Sequence, residues 1–178
     1  MKILDVRYDQ MPSIKQVTQK SDYDKVQKFI YEKEGKVITP WGMLDIQQKG
    51  NIIVFVEDWS CEVDVYKNGK RVTYKYDFEC GFISDKGSIP PKLRSFVDND
   101  DPDFLVGFYI HDANYACHFF DRSNSDKLLR GMGKYHGSGS YKAGKVYWAV
   151  WFAGADAYES DDIGILKQKK WVKFKEVK

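Results

Sequence analysis

The chain has 178 residues, which is enough for one domain with a sizeable hydrophobic core. Hydrophobic residues make up 43% of it and aromatic residues 16%, a composition that excludes an intrinsically disordered chain. The formal net charge of +2 gives no electrostatic reason to expect a nucleic-acid partner.

The three cysteines, Cys61, Cys80 and Cys117, are widely spaced and form no C-x-x-C pair. This spacing argues against a disulfide scaffold or a structural zinc site and favours a reducing compartment. The first ten residues contain no apolar core of a signal peptide, and the longest apolar run, residues 146–155, is too short to span a bilayer. We therefore expect a soluble intracellular protein without a signal peptide or transmembrane segment.

Residues 1–50 have a mixed pattern, and we interpret them as an N-terminal extension of a single α+β domain over residues 51–178. Within the extension, residues 22–31 carry apolar side chains at helical spacing, with Ser21 as the candidate N-cap. Residues 36–39 predict a short strand.

Residues 51–83 predict an antiparallel β-meander. Residues 52–56 form a continuous apolar run rich in β-branched side chains, which is typical of a buried strand. Residues 61–66 and 71–78 alternate apolar and polar side chains, as half-buried strands do. The Asn-Gly pair at residues 68–69 lies between them and is a strong signal for a two-residue hairpin turn.

Residues 81–91 predict a loop between the sheet and the helices, because the two prolines at its end cannot continue a strand ladder. Residues 91–97 predict a helical turn. The acidic residues 98–103 lack the spacing of an EF-hand, so we interpret them as a solvated, helix-capping loop rather than a calcium site.

Residues 104–119 predict an amphipathic helix that carries the motif H-D-A-N-Y, His111 to Tyr115. A helical projection places Asp112 near the centre of the apolar face and His111 on its flank. A carboxylate in that position is costly unless it is paired. We therefore expect a hydrogen-bond donor, a basic side chain or a metal ion beside Asp112.

Two further helices follow. The first opens in R-S-N-S-D, where Ser123 and Asp126 fit the capping-box pattern. The second covers residues 142–158 and is apolar nearly all round, which predicts burial on several sides, with close helix contacts at Gly144 and Gly154.

The Lys-rich tail predicts an edge strand, with a basic aromatic patch for an anionic polymer as the alternative. Together the patterns predict an α+β fold, in which an antiparallel meander over about residues 51–84 packs against a three-helix segment over about residues 102–158. That segment carries the H-D-A-N-Y helix.

Three motifs supply side chains of catalytic type: D-K-G-S-I-P at residues 85–90, H-D-A-N-Y at 111–115 and R-S-N-S-D at 122–126. With the Y-W-A-V that follows, their order resembles a bacteriophage and prophage family of uncharacterised domains. The family pattern is D-x-x-S-I-P, H-D-x-x-Y, an Asp and Y-x-A-V, and it covers about residues 79–158. The resemblance implies a phage or prophage origin, and hence the host cytoplasm or a virion, but no particular reaction.

His111, Asp112 and Asp85 are the candidate catalytic residues, because a histidine oriented by carboxylates can activate water. His111, Asp112 and Asp126 are candidate ligands of a divalent metal ion, which would lower the pKa of a bound water. The candidate binding residues are Ser88, Tyr115 and Arg122. The H-D-x-x-Y string is also similar to the helix of secreted phospholipases A2, although the cysteines and the calcium loop of that family are absent here.

Two functions remain open. The first is a phage-encoded accessory protein with a His/Asp-centred hydrolase site, with or without a metal, acting on cell-wall material, a lipid or a small molecule. The alternative is a non-enzymatic binding protein, either virion- or tail-associated or an inhibitor of a host or anti-phage defence protein. A cleft that opens to His111 would favour the hydrolase. A buried, mutually satisfied cluster with an exposed aromatic or charged surface elsewhere would favour the binding protein.

Overall fold

A computed structural model describes residues 1–44, 52–86, 98, 100–159 and 169–177. Over these residues it confirms the predicted α+β class, with antiparallel sheets and a three-helix segment after them. The elements in chain order are β1 (Lys2–Arg7), β2 (Ile14–Val17), α1 (Lys20–Glu34), β3 (Ile52–Phe55), β4 (Trp59–Lys67), β5 (Lys70–Phe78), β6 (Ile83–Ser84), α2 (Leu105–Cys117), α3 (Arg122–Tyr135), α4 (Ser140–Glu159) and β7 (Val172–Val177).

The larger sheet has the strand order β1-β4-β5-β7, and all of its pairs are antiparallel. Its centre is the β4–β5 hairpin, which turns at Asn68 and Gly69. Both residues have positive φ angles, 52° and 79°, which is why an Asn-Gly pair is favoured at this turn. The tail forms β7 at the edge of this sheet, as predicted.

The smaller sheet has the order β2-β3-β6, so the predicted meander divides between two sheets. Successive side chains of β3 point to opposite faces. Ile53 and Phe55 enter the main hydrophobic core, whereas Ile52 and Val54 enter a second core beneath α1. Burial on both faces explains why β3 is apolar at every position.

The N-terminal residues contribute to both sheets, because β1 pairs with β4 and β2 pairs with β3. The predicted helix is longer than expected and begins after Gln19 rather than Ser21. The strand predicted at residues 36–39 is wrong, since this segment has no regular structure. It crosses the second core, where Ile38 is buried.

The helix α2 lies between the larger sheet and the other two helices of its segment. Val106, Tyr109 and Ile110 pack in the main core, while Phe104 and Phe108 pack against α3 and α4. Contact on both sides buries ten of its thirteen residues. Among the described residues, no helix is both long enough and apolar enough to cross a membrane.

Candidate functional site

The predicted His-Asp cluster forms where α2 and α3 pack together. His111 is 2% exposed and Asp126, on α3, is completely buried. The imidazole Nε2 of His111 lies 2.9 Å from Oδ1 of Asp126. The hydroxyl of Tyr115, one turn further along α2, donates a hydrogen bond of 2.6 Å to the same oxygen. One carboxylate oxygen therefore joins two side chains of α2 to α3.

Asp126 does not have the capping role that its spacing from Ser123 predicted. Asp121 is the N-cap of α3 instead, and its carboxylate accepts a hydrogen bond of 2.9 Å from the backbone N–H of Asn124. The helix thus begins earlier than the capping-box pattern suggests. This shift turns Asp126 inward, toward α2.

Asp112 lies on the other side of the imidazole. Its Oδ1 is 3.7 Å from Nδ1 of His111, beyond hydrogen-bonding distance, so the contact is electrostatic. Its Oδ2 accepts a hydrogen bond of 2.5 Å from the hydroxyl of Ser84 at the end of β6. The partner that Asp112 requires is therefore Ser84, which the sequence analysis did not select.

The burial of His111 and Asp112 differs from what the helical projection predicts. Asp112 is 12% exposed, whereas His111, which the projection placed on the flank, is the more deeply buried. The projection treats α2 as having one buried face, but packing against the sheet and against α3 buries most of its circumference. The residue facing α3 is consequently the enclosed one.

Two carboxylates determine the charge of His111. Burial alone lowers the pKa of an imidazole, but the contacts of His111 with Asp112 and Asp126 outweigh burial, and the net shift is upward. Burial, followed by the contact with Asp126, raises the pKa of Tyr115, so its hydroxyl stays protonated and donates a hydrogen bond to Asp126. The contacts with Asp112 and Asp126 therefore favour the protonated form of His111.

Arg122 extends the cluster toward α4. Its Nε lies 4.0 Å from Oδ2 of Asp126, and its Nη2 donates a hydrogen bond to the backbone carbonyl of Trp151. Its guanidinium also lies over the Trp151 ring, 5.7 Å from the centroid. Arg122 therefore connects the buried carboxylate to the surface of α4.

A second polar contact on α2 was missed altogether. Asn114 is completely buried, and its side-chain oxygen accepts a hydrogen bond of 3.1 Å from the hydroxyl of Tyr76 on β5. Burial raises the pKa of Tyr76 well above its usual value, so Tyr76 acts as a donor. The alternation of β5 places Tyr76 on its apolar face, but no pattern along the chain indicates that Asn114 contacts it.

Two predicted site residues, Asp85 and Ser88, follow β6 in the chain. Asp85 is buried directly after β6, next to Ser84. Ser88 lies outside the described residues, as does the predicted helical turn at 91–97. Within the part of the chain that the structure describes, no group of three His, Cys, Asp or Glu side chains is arranged to hold a metal ion. A metal at His111, Asp112 and Asp126 stays a prediction.

Among the described residues, the largest group of exposed aromatic side chains lies on α4, which we expected to be buried on several sides. That expectation is wrong, because only one side of α4 packs in the core, through Ala143, Val146 and Val150. The opposite side carries four exposed aromatic residues, which we call the aromatic face. They are Tyr141 (78% exposed), Trp148, Trp151 and Phe152 (70% exposed).

A row of cations lies on the exposed side of α3, the helix that packs against α4. Lys127, Arg130 and Lys134 are exposed and lie on one side of that helix; we call them the basic stripe. Arg130 lies over the ring of Tyr147 on α4, 5.6 Å from its centroid. Lys145 adds a cation within the aromatic face itself, 4.6 Å from the centroid of the Tyr141 ring.

No protein-family model, no curated protein and no solved structure matches the chain. The resemblance to the bacteriophage and prophage family, and the origin that it implies, therefore stay predictions.

Proposed function

We propose that this protein is a non-enzymatic binding protein, in which the His111 cluster stabilises the fold and the aromatic face of α4 contacts a protein partner. The observation that carries this proposal is the contrast in exposure between the two. His111 and Asp126 are closed off from solvent and bonded to each other, while Tyr141 and Phe152 are largely open to it.

The buried cluster has the properties of a structural network. A general base must reach a substrate or a water molecule at hydrogen-bonding distance. The Nε2 atom of His111 is occupied by Asp126, and its Nδ1 atom, which has no hydrogen-bond partner among the described residues, is enclosed because His111 is buried. Tyr115 and Ser84 direct their hydroxyls at carboxylates of the same cluster. Such contacts fix the packing of α2 on α3 and on β6.

The aromatic face has the properties of an interaction surface. Its four side chains leave roughly 500 Å² open to solvent, given the area of about 150–250 Å² that each aromatic side chain buries when covered. An apolar patch of this size equals the largest patch on a typical monomer, which is about 300–600 Å² and is often functional. Aromatic residues and arginine are also the residues that contribute most to protein–protein binding energy.

The proposal is consistent with either form of the predicted binding protein, a virion- or tail-associated component or an inhibitor of a host or defence protein. The test begins with affinity purification from producing cells, using the wild-type protein and the Trp148→Ser variant. A partner retained only by the wild type is identified, purified and titrated against both proteins. We expect the Trp148→Ser change to weaken the purified complex at least about tenfold, as loss of a central aromatic contact does.

Tyr31→Ser is the matched control, because Tyr31 is an exposed aromatic residue on α1, away from the aromatic face. Equal losses for Trp148→Ser and Tyr31→Ser would contradict the proposal. A hydrolytic activity that a folded His111→Gln variant lacks would contradict it as well.

A hydrolase is the second candidate, and the partial exposure of Asp112 is the observation that favours it. Ser84 donates a hydrogen bond to Asp112, and the carboxyl group of Asp112 lies 3.7 Å from Nδ1 of His111, so the partly exposed carboxyl group is next to the imidazole. Metal analysis of the purified protein beside Asp112→Ala tests the metal-dependent form. Stoichiometric metal in the wild type, lost in a variant that still folds, would support the hydrolase.

A further inference from the structure

We propose that the occupant of the aromatic face is an acidic amphipathic helix of a partner protein. This inference rests on the proposed function and adds the chemistry of the partner. It follows from three observations: a groove within the face, a cation in its wall with three more along the neighbouring helix α3, and the absence of ion pairs to these cations among the described residues.

The groove lies along α4 and has a volume of about 460 Å³. Tyr141, Trp148 and Phe152 form its walls, and Gly144 lies in its floor, where no atom approaches within 4 Å of the position that a Cβ would occupy. An apolar groove between aromatic walls accepts side chains that project from a partner. An amphipathic helix supplies such side chains at positions i, i+3, i+4 and i+7.

The positive charges near the groove favour a partner whose contacting surface is negatively charged. Lys145 lies in its wall, and Lys127, Arg130 and Lys134 follow along α3. Among the residues that the structure describes, none of these four cations forms an ion pair with a carboxylate. Lys142, at the start of α4, differs because it pairs with Asp101 and Asp103. Carboxylates on a docked helix would form ion pairs with these four cations, which is the usual form of charge complementarity at an interface.

The shape of the surface favours a protein helix over two other anionic partners. A membrane surface or a single-stranded nucleic acid would also meet aromatic and basic side chains. Neither presents isolated apolar side chains that match a groove floored by Gly144. A second copy of this chain would bring a like-charged basic stripe to the same place, which is unfavourable.

The test uses two designed peptides of about 20 residues, each with leucines at the i, i+3, i+4 and i+7 positions. One carries glutamates at the other positions and its counterpart carries lysines. Binding is followed by tryptophan fluorescence and by calorimetry. We expect the acidic peptide to bind at least about tenfold tighter than the basic one, and its affinity to fall as salt is raised, because exposed charges are screened.

Two variants make the test specific to this surface. Gly144→Leu fills the groove at a position with open space and favours the helix, so we expect it to fold normally and to lose at least about tenfold in affinity for the acidic peptide. The double variant Arg130→Glu, Lys134→Glu keeps the groove and reverses the charge of the stripe. We expect it to prefer the basic peptide.

Other outcomes overturn the inference in distinguishable ways. Equal binding of both peptides, blocked by Gly144→Leu, would leave the protein-docking function in place and refute the acidic partner. Binding of anionic phospholipid vesicles or of oligo(dT) instead of either peptide would refute both. Failure of all probes would refute the acidic helix alone, since the partner test with Trp148→Ser is independent of it. A dimer in sedimentation equilibrium that Gly144→Leu dissociates would identify a second copy as the occupant.

Discussion

At the scale of single residues, Asp126 has the most partners in the buried cluster. Replacing it with Asn keeps its size but removes the charge that His111, Tyr115 and Arg122 surround. Breaking a buried ion pair on one side typically costs about 3–5 kcal/mol. We expect Asp126→Asn to lower the free energy of unfolding by about that amount, measured by chemical denaturation.

Asp121→Asn is the matched control, since it makes the same change five residues earlier on the exposed N-cap of α3. Asn caps a helix about as well as Asp, so we expect its effect to stay within about 0.5 kcal/mol. If Asp126→Asn were as stable as Asp121→Asn, the structural role of the cluster would be refuted.

His111 should make stability depend on pH in a defined direction. Its pKa in the folded protein is raised above the ordinary 6.5, so the folded state binds the proton more tightly than the unfolded chain does. The resulting stabilisation is complete below pH 6.5 and is lost as the pH rises through the folded pKa. We expect wild-type stability to fall on the alkaline side of 6.5, and the His111→Gln variant to lack this decline.

His136 provides an internal comparison for that measurement. Burial lowers its pKa below 6.5, so the folded state binds this proton less tightly than the unfolded chain does. The contribution of His136 to stability is therefore present above pH 6.5 and is lost as the pH falls from 6.5 through the folded pKa. The His136→Gln variant should therefore keep the alkaline decline that His111→Gln removes. A pH profile that His111→Gln leaves unchanged would show that the imidazole is not held as an imidazolium.

The residue scale is also where prediction from sequence reached its limit. The H-D-A-N-Y motif predicted that His111 and Asp112 have partners, because an ionisable pair within an apolar helical pattern requires them, and Asp126 was named beside them as a candidate metal ligand. The hydrogen bond from Ser84 to Asp112 was not predicted. It depends on how α2 meets β6, and neither spacing nor periodicity along one segment encodes a contact between segments.

At the scale of elements, two glycines of α4 should respond oppositely to the same change. A Cβ at Gly154 would lie 2.5 Å from the Tyr115 hydroxyl and displace it from Asp126, whereas a Cβ at Gly144 would meet nothing within 4 Å. Gly154→Ala should cost about 1–3 kcal/mol through overpacking. Gly144→Ala should gain up to about 1 kcal/mol from helix propensity.

Thermal denaturation of both variants checks this pair of expectations. The comparison separates close helix packing from propensity, because both positions lie within α4. Stabilisation by Gly154→Ala would show that α4 does not press against Tyr115. The close helix contact predicted for both glycines is present at Gly154, which lies against Tyr115, and is absent at Gly144.

The elements themselves were largely predictable, and the reason is local. Alternation in β4 and β5, the Asn-Gly turn between them and the continuous apolar run of β3 each reflect a conformational rule that acts within a few residues. The exposure of α4 was not predictable in this way. An all-round apolar helix has the same pattern whether its outer side faces another element or a partner protein.

At the scale of the whole molecule, Asp64 joins three strands of the larger sheet. Its buried carboxylate on β4 accepts hydrogen bonds from Arg7 on β1 (2.9 Å from Nη1) and from Arg71 and Thr73 on β5 (2.6 Å from Oγ1 of Thr73). These contacts, that of Arg7 first, hold the pKa of Asp64 far below 3.8. The N-terminal strand is thereby tied to the centre of the sheet.

The Asp64→Asn variant should lose about 1–3 kcal/mol, the usual cost of breaking hydrogen bonds to a charged group. Because the folded pKa is lowered, this contribution is present above pH 3.8 and is lost as the pH falls toward the folded value. Acid titration of both proteins should therefore show a smaller loss for the variant. Asp77→Asn, a more exposed change on β5, should cost less than about 1 kcal/mol.

The position of β7 has a consequence for synthesis of the protein. Trp171 and Val172 belong to the main core, and β7 covers the edge of β5, yet all three helices of the α2–α4 segment precede it in the chain. Until residues 169–177 have left the ribosome, the nascent chain exposes an open strand edge beside Tyr74, Tyr76 and Phe78. Unpaired edges of this kind are prone to aggregate. Dependence on chaperones should therefore be strongest in the interval between synthesis of α4 and the emergence of β7 from the ribosome.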